Sequence, residues 1–169
     1  MILRLSQRLA KKLKEGSLPS MPLDDNPYAD WSAHLFTVGR TQYIIVSNTR
    51  WLYSVVLYGR GITNFSDFIT DVMGILHDFM EDDGQAFVYQ RFIAPGSGNI
   101  QLAKSLNRSV TGSMNELIRV AQVCLQDGNT SPYQVGFRLN DVLLSALASG
   151  NAPYGKPNEA FKKLADECR

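Results

Sequence analysis

Cysteine and histidine occur only twice each in the 169 residues. Cys124 and Cys168 are far apart, no CxxC is present, and no Cys/His cluster forms. Thiols so placed read as a small hydrophobe on a helix face and a tail residue, which excludes a disulfide framework and a zinc site. No run of eighteen apolar residues exists, so no membrane-spanning helix is expected. The N-terminal MILRLSQRLAKKLK interrupts its apolar residues with charges and lacks the apolar core of a secretory signal; a cytoplasmic chain is expected. An excess of one charge is also missing. Seventeen Lys and Arg face sixteen Asp and Glu, a formal charge of +1. A global electrostatic grip on nucleic acid is therefore excluded, and only a local basic patch could supply one.

Catalytic and cofactor motifs are equally scarce. There is no GxSxG elbow for a serine nucleophile, and neither cysteine has a partner base in sequence. The glycines at 96–98 (GSG) and 58–61 (YGRG) are too short for phosphate loops and read as turns. The acidic EDDG at 81–84 lacks the ligand spacing of a calcium loop and reads as a solvated helix end. No cofactor and no metal are implied, and the chain leans away from an enzyme.

What is present fits one soluble domain. Apolar residues make up 44% and charged residues 20%, ordinary values for a globular protein of this size. MILRLS alternates as a strand, then Leu9, Ala10 and Leu13 take helical spacing, with Ser6 as N-cap and Gly16 as the stop. SLPSMPLDDNPYAD is a loop rich in Pro and Asp/Asn, long enough to be a functional or covering segment. WSAHLFTV, QYIIVSN and TRWLYSVVLYG are three strands with short links, with a turn at Arg40–Gln42; an antiparallel meander is expected. Asn64 caps a strong helix in which Phe65, Phe68, Val72, Leu76 and Phe79 recur on one face. QAFVYQRFI reads equally as helix or strand. IQLAKS is a further strand, and NRSVTGSMNELIRVAQVCL a second strong helix with Val110, Met114, Leu117, Ala121 and Leu125 on one face. YQVGFRLNDVLLSAL reads as a last strand with a short helix, and residues 150–169 as a polar extension ending in a helix. The expected fold is α+β: one domain over 1–169 with an antiparallel or mixed sheet and helices packed mainly on one face.

Two places stand out for function. In DWSAHLF, Asp30, Ser32 and His34 share one strand face. A catalytic triad draws on distant parts of a chain, so this row reads first as a polar strand face; with Trp31 and Asn48 it forms a candidate polar surface. The second is NRSVTGSMNE at the start of a helix. Asn107 or Ser109 can cap it, and its first N–H groups favour an anion. Lys104, Asn107, Arg108, Ser109, Thr111, Ser113 and Asn115 are the candidate anion-binding residues, beside the alternative of a capped helix packing small residues on the sheet.

MILRLSQRLAKKL, DWSAHLF, RTQYIIVSNTRWLYSVVLYG and LNRSVTGSMNE occur in this order. Together they resemble a bacterial family of unknown function with an N-terminal strand, a Lys-rich helix, a Trp-centred strand and an NRSVxGSMN[DE] signature. The resemblance covers residues 1–147. It implies one complete domain and makes Asn107, Arg108, Ser109, Ser113 and Asn115 signature positions, without assigning them a role.

Three functions are then weighed. The first is a non-catalytic binding or interaction module for a protein partner or small anionic ligand. The second is a nucleic-acid binder in a plasmid, phage or defence setting, using Lys11, Lys12, Lys14, Arg40, Arg50, Arg60, Lys104 and Arg108 with Trp51 and Tyr53 for stacking. The third is an enzyme on a phosphorylated small molecule, which needs His34 within reach of Arg108. Charge balance weighs against the second and the missing motifs against the third.

Overall fold

The computed structural model describes residues 1–167, so Cys168 lies outside the described residues. Five strands form one mixed sheet in the order β4-β3-β2-β1-β5. The strands are β1 (Ile2–Leu5), β2 (Asp30–Val38), β3 (Thr41–Asn48), β4 (Ser54–Tyr58) and β5 (Gln101–Lys104). β2, β3 and β4 form the expected antiparallel meander, and β1 lies parallel to both β2 and β5. All four residues of β1 are buried. A central strand covered on both faces can bury consecutive apolar residues, which explains Ile2 beside Leu3.

α1 (Gln7–Lys12) follows, capped by Ser6 Oγ, which accepts from Leu9 N–H at 3.3 Å. Its stop is Lys14, not Gly16: Lys14 takes φ 60°, and Glu15 N–H returns to the Ala10 carbonyl. This is a Schellman closure with a lysine in the left-handed position where glycine is usual. The hairpin between β2 and β3 turns at Gly39 (φ 57°) and Arg40, so it starts one residue earlier than expected, and Thr41 and Gln42 already belong to β3. Only Ser54–Tyr58 of TRWLYSVVLYG is strand. The Asn48 carboxamide accepts from Arg50 and Trp51 N–H and folds the preceding residues into a turn.

α2 (Phe65–Asp82) is capped by Asn64 and buries Phe68, Val72, Leu76, Phe79 and Met80. Residues 86–93, which periodicity left open, are helical: α3 (Ala86–Val88) runs into a π turn at Tyr89–Ile93. α4 (Arg108–Leu125) is capped by Asn107 and buries Met114, Leu117, Ala121 and Leu125. α5 (Pro132–Asn140) replaces the expected last strand. A Ser131/Gln134 capping box and Pro132 at the first turn start it, and Val135 and Leu139 mark its buried face. α6 (Pro157–Glu167) closes the described chain.

Strand alternation sorts the core into two layers. Leu3, Leu5, Ala33, Leu35, Ile44, Val46, Val55 and Leu57 face α1, α2 and Phe161 of α6. Phe36, Tyr43, Ile45 and Val56 face α4 and α5. The α+β expectation holds, with the larger share of helices on the first face. α5 also seals the β4 edge: the Asn140 side chain accepts from Ser54 N–H at 2.7 Å and donates to its carbonyl at 3.0 Å. At Gly136 an added Cβ would stand 2.7 Å from the Phe79 ring and 3.3 Å from the Ser54 carbonyl, so α5 lies this close only with glycine there.

A candidate ligand crevice at the ends of the parallel strands

On the α4 side of the sheet, β1 and β2 present a polar strip in which Arg4, Asp30, Ser32 and His34 alternate with core residues. Asp30 is fully buried and bound in a bidentate pair with Arg4, Nε to Oδ1 and Nη2 to Oδ2, both 2.8 Å. The loop at 17–26 closes over the pair. The Met21 and Pro22 carbonyls accept from Arg4, and Asp24 N–H donates to Asp30. Ser32 shares a hydrogen bond with Thr49, and Ser47 with Ser54.

The expected polar surface of Asp30, Trp31, His34 and Asn48 is therefore corrected, because all four are buried. Trp31 belongs to the core and donates its indole N–H to the Tyr28 carbonyl. Asn48 donates to the Pro27 and Asp30 carbonyls while holding its own turn. The Arg4 guanidinium takes up Asp30, and backbone carbonyls take up Trp31 and Asn48, a use that a linear pattern does not distinguish from exposure.

His34 differs from its neighbours. It is 7% exposed, and its ring makes no hydrogen bond among the described residues. Asp30 and Ser32 are both engaged elsewhere, so neither orients the imidazole. The ring meets a groove of about 380 Å³ lined by Leu5, Ser6, Gln7, His34, Lys104, Ser105 and Thr111. Burial lowers the His34 pKa below its usual 6.5, so the folded protein holds it neutral. In the unfolded chain it takes a proton as pH falls through 6.5. Stability should therefore decline below pH 6.5 toward the lower folded value. His34→Gln should flatten that decline in denaturant titrations from pH 7.5 to 5; an unchanged slope would show that His34 is not its source. His77 is exposed and its pKa is raised, chiefly by hydrogen bonding to Asp78.

The groove lies where two adjacent parallel strands end. β1 leads into α1 on one face of the sheet, and β5 leads into α4 on the other. In open sheets, connections that diverge to opposite faces leave a crevice at the carboxyl ends of the strands, where ligands bind. A second groove of about 330 Å³ on the α1 side shares Leu5, Gln7 and Lys104 with the first. Lys104 is exposed, without an ion pair among the described residues, at the join.

The candidate anion-binding residues divide around this geometry. Lys104 and Thr111 reach the crevice. Ser109 and Ser113 lie in a separate cleft with Thr49 and Arg50. Asn107 is spent as the cap, its Oδ1 accepting from Val110 N–H at 3.0 Å. The Thr111 and Ser113 hydroxyls donate back to the Asn107 and Ser109 carbonyls. Arg108 and Asn115 are exposed and line neither cleft. His34 and Arg108, which the enzyme reading required together, do not share a groove. The acidic helix end is tied down as well: Asp83 accepts from Tyr53 and pairs with Lys162, and Asp82 accepts from Tyr133. Desolvation and the Asp83 carboxylate push the Tyr53 phenol far up.

Among the described residues no three metal-ligating side chains stand together, and no helix is long and apolar enough to cross a membrane. Fold and site thus define a class: a single α+β domain with a five-stranded mixed sheet and a polar crevice at its parallel strand ends. The chain belongs to the family described as a domain of unknown function, DUF6933, which matches residues 2–160. No curated protein matches it.

Proposed function

We propose that this protein is a non-catalytic, cytoplasmic binding module whose ligand is a small anion held in the crevice between the ends of β1 and β5. The observation that carries this reading is His34. The residue is nearly buried, yet its ring nitrogens make no hydrogen bond among the described residues and stay open to solvent, and they border a groove that the Lys104 side chain also lines. Lys104 supplies the charge, the neutral imidazole one donor, and the Ser6 and Ser105 hydroxyls further polar partners. Lys104 and Thr111 are retained from the residues expected to bind an anion, while Arg108 and Asn115 are not part of this site.

The test is a thermal-shift titration with inorganic phosphate, sulfate and short mono- and dicarboxylates. An anion present at 100 times its Kd should add about 2.7 kcal/mol, a rise of roughly 5–10 °C for a chain of this size. Lys104→Ala, an exposed change, should remove most of the rise and leave the ligand-free midpoint in place. The reading fails if none of these anions raises the midpoint, or if Lys104→Ala responds as the parent does.

A further inference from the structure

A larger groove, of about 880 Å³, opens beside the tip of the β2–β3 hairpin. Three cations from separate elements line it: Lys12 from α1, Arg40 from the hairpin turn and Arg60 just beyond β4. None has an ion-pair partner among the described residues, and no carboxylate lines the groove. Lys12 Nζ donates to Gln42 Oε1 at 2.7 Å, which fixes one ammonium at the wall. Arg40 and Arg60 are exposed. In a chain with nearly equal numbers of both charges, three convergent cations without a carboxylate depart from the usual mixing of signs on a surface.

The groove also holds an aromatic ring. Tyr58 is 55% exposed, although it ends a strand whose other residues are buried. Its ring is 5.4 Å from that of Tyr43, centroid to centroid, which supports it from one side and leaves the other accessible. Trp51 and Tyr53, the rings expected to stack on a ligand, are used elsewhere. Tyr53 is fully buried and stacked 4.3 Å from Phe161, and Trp51 packs 4.7 Å from Tyr28.

We propose that this groove binds single-stranded nucleic acid, with backbone phosphates on Lys12, Arg40 and Arg60 and one base stacked on Tyr58. A cationic groove with an exposed ring is the arrangement by which proteins hold single strands without reading sequence. An unpaired base can reach Tyr58; a base inside a duplex presents no free face to it. The formal charge of +1 confines the attraction to this patch and makes it sensitive to salt.

Fluorescence anisotropy with labelled twelve-nucleotide single strands of RNA and DNA tests the proposal, with unlabelled duplex DNA and inorganic tripolyphosphate as competitors. Three phosphate contacts to a single strand should give a slope of about −2 in log K against log salt. Arg40→Ala/Arg60→Ala should reduce that slope to about −0.7. Tyr58→Ala should weaken binding roughly 5- to 150-fold, the range expected for one stacked base, and Tyr58→Phe should keep it. Lys104→Ala, in the other crevice, should have no effect on strand binding. Circular dichroism of each variant separates lost contacts from lost folding, and Arg60→Gln stands in should the double variant unfold. The proposal is overturned if single strands do not bind in 50 mM salt, or if folded arginine variants bind as the parent does. It is also overturned if Tyr58→Ala binds normally while tripolyphosphate displaces the strand, which would mark a site for compact polyanions.

Discussion

Asp30→Asn should cost about 3–5 kcal/mol and lower the thermal midpoint by roughly 6–20 °C, the largest loss expected from any isosteric change in this chain. The carboxylate is fully buried and takes both Nε and Nη2 of Arg4, itself 1% exposed. The amide leaves the guanidinium without a counter-charge in a site that water does not reach. It also disturbs the acceptor that holds Asp24 N–H, and with it the loop over the sheet. Desolvation makes the pair weak as a source of net stability and costly to break by half. The double change Arg4→Met/Asp30→Leu should therefore be milder than Asp30→Asn. Its residual cost should come from the Met21 and Pro22 carbonyls, which lose their donor. Urea unfolding of the single and double variants at pH 7 measures the coupling. Additive losses would show that the two residues do not act as a unit.

Phe161→Ala should be comparably damaging, at about 3–5 kcal/mol, although it lies in a segment of polar appearance. Phe161 is fully buried. Its ring stacks on Tyr53 and meets Tyr28 at 5.0 Å and Trp51 at 5.8 Å edge-on. Its carbonyl accepts from the Tyr28 hydroxyl at 3.0 Å. Residues beyond 150 are thus more than an extension, since one of them completes an aromatic cluster seeded by the 3₁₀ turn at Pro27–Ala29 and by β2. Phe161→Leu should recover roughly half of the loss, because volume is partly kept while the ring contacts go. The neighbouring Lys162→Ala, a half-buried partner of Asp83, should cost under about 1 kcal/mol. Calorimetric midpoints of the three variants decide this. A small effect of Phe161→Ala would mean that α6 contributes little to the core.

The strong helices and their caps were legible because their causes are local. Asn64 and Asn107 cap the helices they precede, and the apolar spacing in α2 and α4 gives their buried faces directly. The meander could be read because β2, β3 and β4 follow one another with short turns. The α5 segment reads as strand in sequence because Tyr133, Val135 and Phe137 alternate like one. Asn140 and Gly136 decide otherwise, by fitting a helix along the open edge of β4 across 86 residues of chain. Residues 86–93 read equally as helix or strand because periodicity does not separate the two in so short an apolar run; as a helix they bury Val88 and Ile93 in the core shared with α2.

The candidate sites were legible only in parts. His34, Lys104 and Thr111 each stood out in sequence, but chain order gave no reason to group them apart from Arg108. They meet because β1 lies between β2 and β5, with α1 and α4 leaving to opposite faces. Asp30 lost its candidate role for the reciprocal reason: Arg4, 26 positions away, sits beside it once the two strands align in parallel. Lys12, Arg40, Tyr58 and Arg60 come together in the same way. By itself the sequence determined the α+β class, the helix caps and the absence of a global basic excess, all of which follow from neighbouring residues and composition. Which polar residues are consumed within the fold, and which remain to meet a ligand, was decided by tertiary structure alone, because hydrogen bonding and burial between distant segments settle each side chain's partner.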